Sequence, residues 1–177
     1  MTSSAMQVFA SFLHILAVAV YVGGSVAMEF VLGPAQSYIP PAQAQVMGQR
    51  SADRFLVMVW AALALFPISG LLLFFSLSDQ DTLSGTKFFT TSYGQTLLGM
   101  IVLWAVLVVN GVVITFVLRP RLAHRASAPA GGAGVTERLE VMRAAASRLS
   151  LLTRIDLAIA VFIVLLGASL AYGGGLL

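Results

Sequence analysis

Residues 55–77 read FLVMVWAALALFPISGLLLFFSL and contain no Asp, Glu, Lys or Arg. A helix needs about 20 mostly apolar residues to cross the hydrocarbon core of a bilayer, so this stretch is long enough to span it. It lacks the polar stripe of a surface helix and the short alternating segments of a membrane barrel. Pro67, inside the stretch, indicates a kink. We therefore predict a transmembrane helix here.

Three other runs also lack acidic and basic residues, at residues 5–28, 93–118 and 157–177. The whole chain is 59% hydrophobic and 10% charged, whereas a soluble domain has about 25% charged residues. We predict an all-α fold, an integral membrane four-helix bundle that forms a single transmembrane domain over residues 1–177. Its spans are expected at about residues 5–32, 54–77, 93–118 and 154–175.

The basic residues predict the orientation. Nine of the ten lie in the first and third connections, at residues 33–54 and 119–154. Loops rich in Lys and Arg stay in the cytoplasm. We therefore expect a multi-pass protein of the inner (plasma) membrane, with these two loops cytoplasmic and both termini outside. Because the basic residues separate apolar segments, the net charge of +3 indicates topology, and we expect no nucleic-acid partner.

The third connection has two parts. Residues 126–134, ASAPAGGAG, are typical of a flexible linker. Residues 135–149 have a helical pattern with apolar and charged sides, which predicts a short amphipathic cytoplasmic helix between the third and fourth spans. The alternative is a continuous cytoplasmic extension of the fourth helix.

His14 is the most informative residue because it lies inside the first predicted span. Ionisable residues at such depth are costly and are functional candidates by default. Neutral imidazole is a good ligand for haem iron or copper. The alternative is structural, since an intramembrane His can also hydrogen-bond a neighbouring helix. The residues alone leave both interpretations open.

Depth along the helices suggests the neighbours of His14, which lies about 13 Å below the outer end of its span. Met100 lies at a similar depth in the third helix and is the soft ligand at that level, which makes it a candidate second haem ligand. The alternative is that Met100 only packs between helices, as methionines more often do. The second helix brings Ser69 and Gly70 to this depth, and the fourth brings Leu165 and Gly167. His124 is in the predicted cytoplasmic loop.

A second polar set is expected at the inner end of the bundle. It consists of Glu29, Asp53, Arg54, Asn110, Arg119, Arg154 and Asp156. Opposite charges there can pair and fix the register of the helices. We expect Glu29 to pair with Arg54 or Arg154, and Asp156 with Arg119. The alternative is a vestibule for an ion or a proton.

The first half of the chain resembles a known group. The segments are FLHILAVAVYVGG at 12–24, LGPA at 32–35, PPAQAQ at 40–45 and RFLVMVWAALALFPISGLLLFF at 54–75. They resemble copper-resistance protein D and related uncharacterised four-helix membrane proteins. More distantly they resemble a membrane-embedded, haem-dependent protoporphyrinogen oxidase. The resemblance covers residues 8–77 and implies a four-helix bundle with His14 as haem or metal ligand. The oxidase also uses a Lys in a later helix, whereas the single Lys here, Lys87, lies in the predicted outer loop.

Three functions remain open from the sequence. The first is a redox protein in which His14 binds haem b and electrons pass to a quinone or a partner complex. The second is an accessory or scaffold subunit without a cofactor, and the third is a copper-handling membrane protein. We find no catalytic motif, so the question of enzyme activity stays open, and the absence of Cys excludes thiolate metal sites. Expected partners are the lipid bilayer, haem or copper, and a second copy of the chain or a larger membrane complex.

Overall fold

The computed structural model describes residues 2–76, 85–120 and 135–172, and all regular structure in these ranges is helical. Helix α1 begins as Thr2–Val18 and continues to Tyr38, with π-helical turns at Ala19–Gly23 and Ala27–Leu32. The other helices are α2 (Pro41–Ser76), the short α3 (Lys87–Thr90), α4 (Ser92–Val112, extended by the π-helical Val113–Leu118) and α5 (Val135–Ala171).

Four helical segments are long and apolar enough to cross a membrane, which confirms four membrane-spanning helices. They are Ser4–Tyr38, Ala42–Ser76, Ser92–Leu118 and Ser150–Leu170. The first continues past its predicted end at residue 32. It stops where Ile39 adopts an extended backbone (φ −119°, ψ 157°). Ile39 precedes Pro40, and the proline ring disfavours a helical conformation in the residue before it.

The segment at 135–149 forms the first turns of α5 and is continuous with the fourth span. This is the extension that we named as the alternative, and the separate short helix is not seen. The physical reason is that no Gly or Pro interrupts the chain between Val135 and Gly167, so nothing ends the helix. The predicted linker at 126–134, His124 and the side chains of residues 135–146 lie outside the described residues.

The helices pack in two pairs, α1 with α2 and α4 with α5, and the pairs meet at a common core. Small residues at the core let the backbones approach closely, as is usual for membrane helices. Large apolar side chains such as Phe30, Val57 and Phe116 point outward, as expected where lipid is the solvent. Among the residues that the structure describes, the buried side chains of this core are Ala17, Tyr21, Ala62, Leu63, Leu107 and Ala160.

Pro67 lies inside α2 without ending it. Because proline has no N–H, the carbonyl of Leu63, four residues earlier, loses its helical partner. The indole Nε1 of Trp104, in α4, donates to that carbonyl at 3.1 Å. The bond satisfies the carbonyl in a region without water and joins the two helix pairs.

Candidate functional site around His14

His14 lies at the interface of α1 and α2. Its Nδ1 is 2.9 Å from the hydroxyl oxygen of Ser69, which is completely buried. This contact confirms the prediction that Ser69 lies at the same depth as His14. The structural prediction that His14 hydrogen-bonds a neighbouring helix is also confirmed.

The bonds of Ser69 indicate which nitrogen of His14 carries the proton. A serine hydroxyl has a single hydrogen to donate, and that of Ser69 points at the carbonyl of Leu65 at 2.7 Å, with the carbonyl of Phe66 at 3.1 Å. With its hydrogen used there, Ser69 accepts from the Nδ1–H of His14. The neutral ring then keeps the lone pair of Nε2, the form in which imidazole binds metals.

The Nε2 atom is the chemically available end of this side chain. It has no hydrogen-bond partner among the described residues. A bond from the other ring nitrogen to a protein acceptor is the usual support of a metal-binding histidine, since it fixes both tautomer and ring orientation. This arrangement is compatible with both interpretations of His14, as a metal ligand and as a residue that packs between two helices.

An aromatic contact also holds the ring. Phe66 meets His14 edge to face, with ring centroids 5.5 Å apart and planes at 72°. Phe66 in turn meets Tyr21 at 6.3 Å and 65°. Such pairs contribute about 0.5–1.5 kcal/mol beyond burial. The plane of the imidazole is thus fixed by Ser69 on one side and Phe66 on another.

Met100 has different neighbours. Its terminal methyl lies against Gly167 of α5, 3.4 Å from where a β-carbon on that glycine would stand. This confirms that these two residues lie at the same depth. The contacts of His14 are to Ser69 and Phe66 of α2, so the joint ligation by His14 and Met100 stays a prediction.

The predicted polar set at one end of the bundle forms two ion pairs, which define what we call the charged end. Arg154 Nε lies 2.6 Å from Glu29 Oε1, which confirms one of the two expected partners of Glu29. Arg119 lies 2.8 Å from Asp53 Oδ1. The predicted pair of Asp156 with Arg119 is therefore wrong, because Asp53 holds the arginine. Each pair joins one helix pair to the other.

Asp156 has a neutral partner instead. Asn110 Nδ2 of α4 donates to Asp156 Oδ1 at 2.7 Å. The side chain of Asp156 is half-buried. This bond ties α4 to α5 inside the fourth membrane-spanning segment, two residues along α5 from Arg154.

Among residues 2–76, 85–120 and 135–172, no group of three or more His, Cys, Asp or Glu side chains could hold a metal ion. A closed metal site built from these residue types is thus not found there. A single imidazole, with or without a methionine thioether, is the donor set that these residues offer. Such a set suits a soft monovalent ion such as Cu(I), or an axial position on haem iron.

Comparison with known proteins gives one positive result. The family model for copper resistance protein D matches residues 49–170, which is more than half of the chain. A comparison with curated proteins and one with solved structures found no match. None of these comparisons supports the resemblance to the haem-dependent oxidase.

The match covers most of α2, all of α3 and α4, and most of α5, whereas the resemblance seen in the sequence covers residues 8–77. Ser69 and Met100 lie inside the matched region, and His14 lies outside it. The match therefore supports family membership through the second, third and fourth membrane-spanning helices and does not include the first. The chain belongs to the copper resistance protein D family.

Proposed function

We propose that this protein handles copper within the membrane and that His14 binds the metal through Nε2. The observation that carries the proposal is the hydrogen bond between His14 Nδ1 and the buried Ser69. It fixes the ring and leaves the other nitrogen with its lone pair. Family membership supports copper as the metal.

The chemistry of the available donors fits Cu(I) as a transported or buffered ion. Imidazole nitrogen and thioether sulfur both suit copper, and soft ligands select the monovalent state. Met100 is the thioether that we propose as second donor, since it lies at the depth predicted for His14. A site with few protein ligands binds weakly enough to pass its ion on, which suits a handling role.

Haem b is the second candidate, because the same Nε2 atom can serve as an axial ligand. A His and a Met ligand together are a known combination for haem iron. Bound haem would supply one-electron chemistry and exchange electrons with a quinone or a partner complex. The residues of this chain would contribute the ligand and its orientation through Ser69.

The orientation is also part of the proposal. Basic loops favour the cytoplasm, so we propose that the charged end of the bundle faces the cytoplasm and that both termini lie outside. His14 would then lie in the outer half of the membrane. This places the metal ligand nearer the side from which extracellular copper arrives.

The test compares four purified proteins from copper- and haem-supplied cells: the wild type, His14→Ala, Ser69→Ala and His124→Ala. Copper content and the reduced-minus-oxidised visible spectrum are measured for each. We expect copper in the wild type and in His124→Ala, which is the matched control because it removes the other histidine. We expect it to be absent from His14→Ala.

Ser69→Ala removes only the support of the ring, and loss of such a partner typically weakens metal binding by about 10–100-fold. A haem spectrum that disappears in His14→Ala would favour the second candidate over copper. Copper that persists in His14→Ala would contradict the proposal. A wild-type protein with neither copper nor haem would instead support the cofactor-free accessory subunit.

A further inference from the structure

Asp156 is an acidic residue inside a membrane span. It lies in the segment Ser150–Leu170, six residues from its start, or about 9 Å along the helix. A carboxylate at such a depth is costly, and residues of this kind commonly mark proton or ion pathways. The proposed copper function does not use this residue.

No cation compensates Asp156 among the described residues. The arginine two positions earlier, Arg154, binds Glu29 at 2.6 Å. Arg119, at the end of the neighbouring helix α4, binds Asp53 at 2.8 Å. The hydrogen bond that Asp156 receives comes from the neutral amide of Asn110 at 2.7 Å. An ionised carboxylate without a counter-ion is strongly disfavoured in an apolar medium, whereas its protonated form is not.

A row of polar residues on α1 runs from the charged end into the membrane alongside α5. Tyr21, Ser25 and Glu29 are spaced by four residues, and the part of α1 that carries the first two packs against α5. Tyr21 and Ser25 are buried, and the Ser25 hydroxyl donates to the Tyr21 carbonyl at 2.7 Å. Asp156 lies within electrostatic range of Tyr21.

We propose that Asp156 is a proton-binding site inside the bilayer and that Asn110 is its positioning residue. The carboxylate accepts one proton from a hydronium ion at the charged end: the O–H bond of the hydronium breaks, the O–H bond of the carboxyl group forms, and a water molecule is released. The amide of Asn110 donates to the oxygen that does not carry the proton. The site is independent of the proposed copper ligand, so either can fail without the other.

The groups around Asp156 come from α1 and α4, which pack on α5. Tyr21 of α1 lies within electrostatic range of it, and the amide of Asn110 in α4 donates to it. Arg154, two positions earlier on α5, is paired with Glu29 of α1, and Arg119 of α4 is paired with Asp53. Both arginines are thus already paired with other carboxylates, and among the described residues Asp156 makes no ion pair.

The experiment is infrared difference spectroscopy on the full chain in lipid vesicles during a pH titration. We expect the wild type to show the carbonyl-stretch band of a protonated carboxyl group at neutral pH, and to lose it as the pH is raised. Asp156→Asn, which keeps the shape of the side chain, should lack this band. Asp53→Glu is the matched control and should retain it, since it changes the other acidic side chain but leaves a carboxylate to pair with Arg119.

Asn110→Leu provides an independent variant should Asp156→Asn fail to insert. Loss of the amide bond should shift the frequency of the band without abolishing it. The proposal is overturned by a band that is unchanged in Asp156→Asn or in Asn110→Leu. It is overturned equally by a wild-type carboxylate that stays ionised from acidic to alkaline pH, or that responds to sodium ions and not to pH.

Discussion

The indole of Trp104 donates a hydrogen bond of 3.1 Å to the carbonyl of Leu63, the very carbonyl that Pro67 deprives of its helical partner. Leu63 is almost completely buried. The proline creates an unsatisfied acceptor in the middle of the membrane, and a tryptophan from another helix satisfies it. One bond thus lets α2 contain a proline and also fixes α4 against it.

Trp104→Phe should therefore destabilise the protein by about 1–3 kcal/mol, the usual cost of an unsatisfied buried polar group. The measurement is unfolding of the purified protein in detergent. The reason can be checked with Pro67→Ala, which restores an N–H for the Leu63 carbonyl. In that background Trp104→Phe should cost measurably less, so the two substitutions should be coupled. Strictly additive costs would contradict this explanation.

Gly94→Ala adds only one methyl group, yet we expect it to lower the stability of the protein. A β-carbon at Gly94 would overlap the backbone carbonyl of Phe88, which belongs to α3. Backbone cannot move aside as easily as a side-chain tip, so we expect a loss of about 1–3 kcal/mol, as for overpacking in a core. Gly70→Ala is the control, because a β-carbon there meets nothing within 4 Å. Equal thermal stability of the two variants would contradict the described packing of α3 on α4.

The ion pair between Glu29 and Arg154 should contribute little in isolation. The arginine side chain is 67% exposed and the glutamate 16%, so solvent screens the attraction and we expect Arg154→Gln to cost about 1 kcal/mol or less. Exchange of the charges, in Glu29→Arg with Arg154→Glu, should restore most of the loss caused by Glu29→Arg alone. Thermal unfolding at low and high salt measures this. A double variant no more stable than Glu29→Arg would contradict direct pairing.

Much of the fold follows from the sequence because the bilayer imposes simple requirements. A charge-free run of sufficient length can only be a spanning helix, and the rise per residue sets the depth of every side chain. The depth calculated from this rise correctly predicts that Ser69 lies level with His14 and that Gly167 lies level with Met100. The bond from Trp104 to Leu63 was missed, although Pro67 signals a free carbonyl four residues earlier.

Rotation of the helices about their axes is what the sequence left open. Asp156 and Arg119 lie near the same end and have opposite charges, yet Arg119 turns toward Asp53 and Asp156 toward Asn110. Depth alone cannot distinguish these partners. The continuity of α5 was likewise open, because residues 135–149 suit either a surface helix or an extension of the span.

The proposed orientation can be tested by fusing a reporter enzyme that is active only outside the cytoplasm. A fusion after Leu177 should be active, and one placed in the third connection, after Arg125, should be inactive. The reason is that seven of the basic residues lie in residues 119–154, which favours retention in the cytoplasm. The reverse pattern, from fusions that insert into the membrane, would contradict the assignment.

The claim that His14 is a copper ligand is tested most directly by measuring the Cu(I) affinity of the full-length protein in detergent, by competition with a chelator. The affinity is compared between the wild type, His14→Ala and His124→Ala. We expect His14→Ala to bind Cu(I) at least about 10-fold more weakly, since loss of an outer-shell partner alone typically costs that much, and His124→Ala to match the wild type. Equal affinity of the wild type and His14→Ala would contradict it.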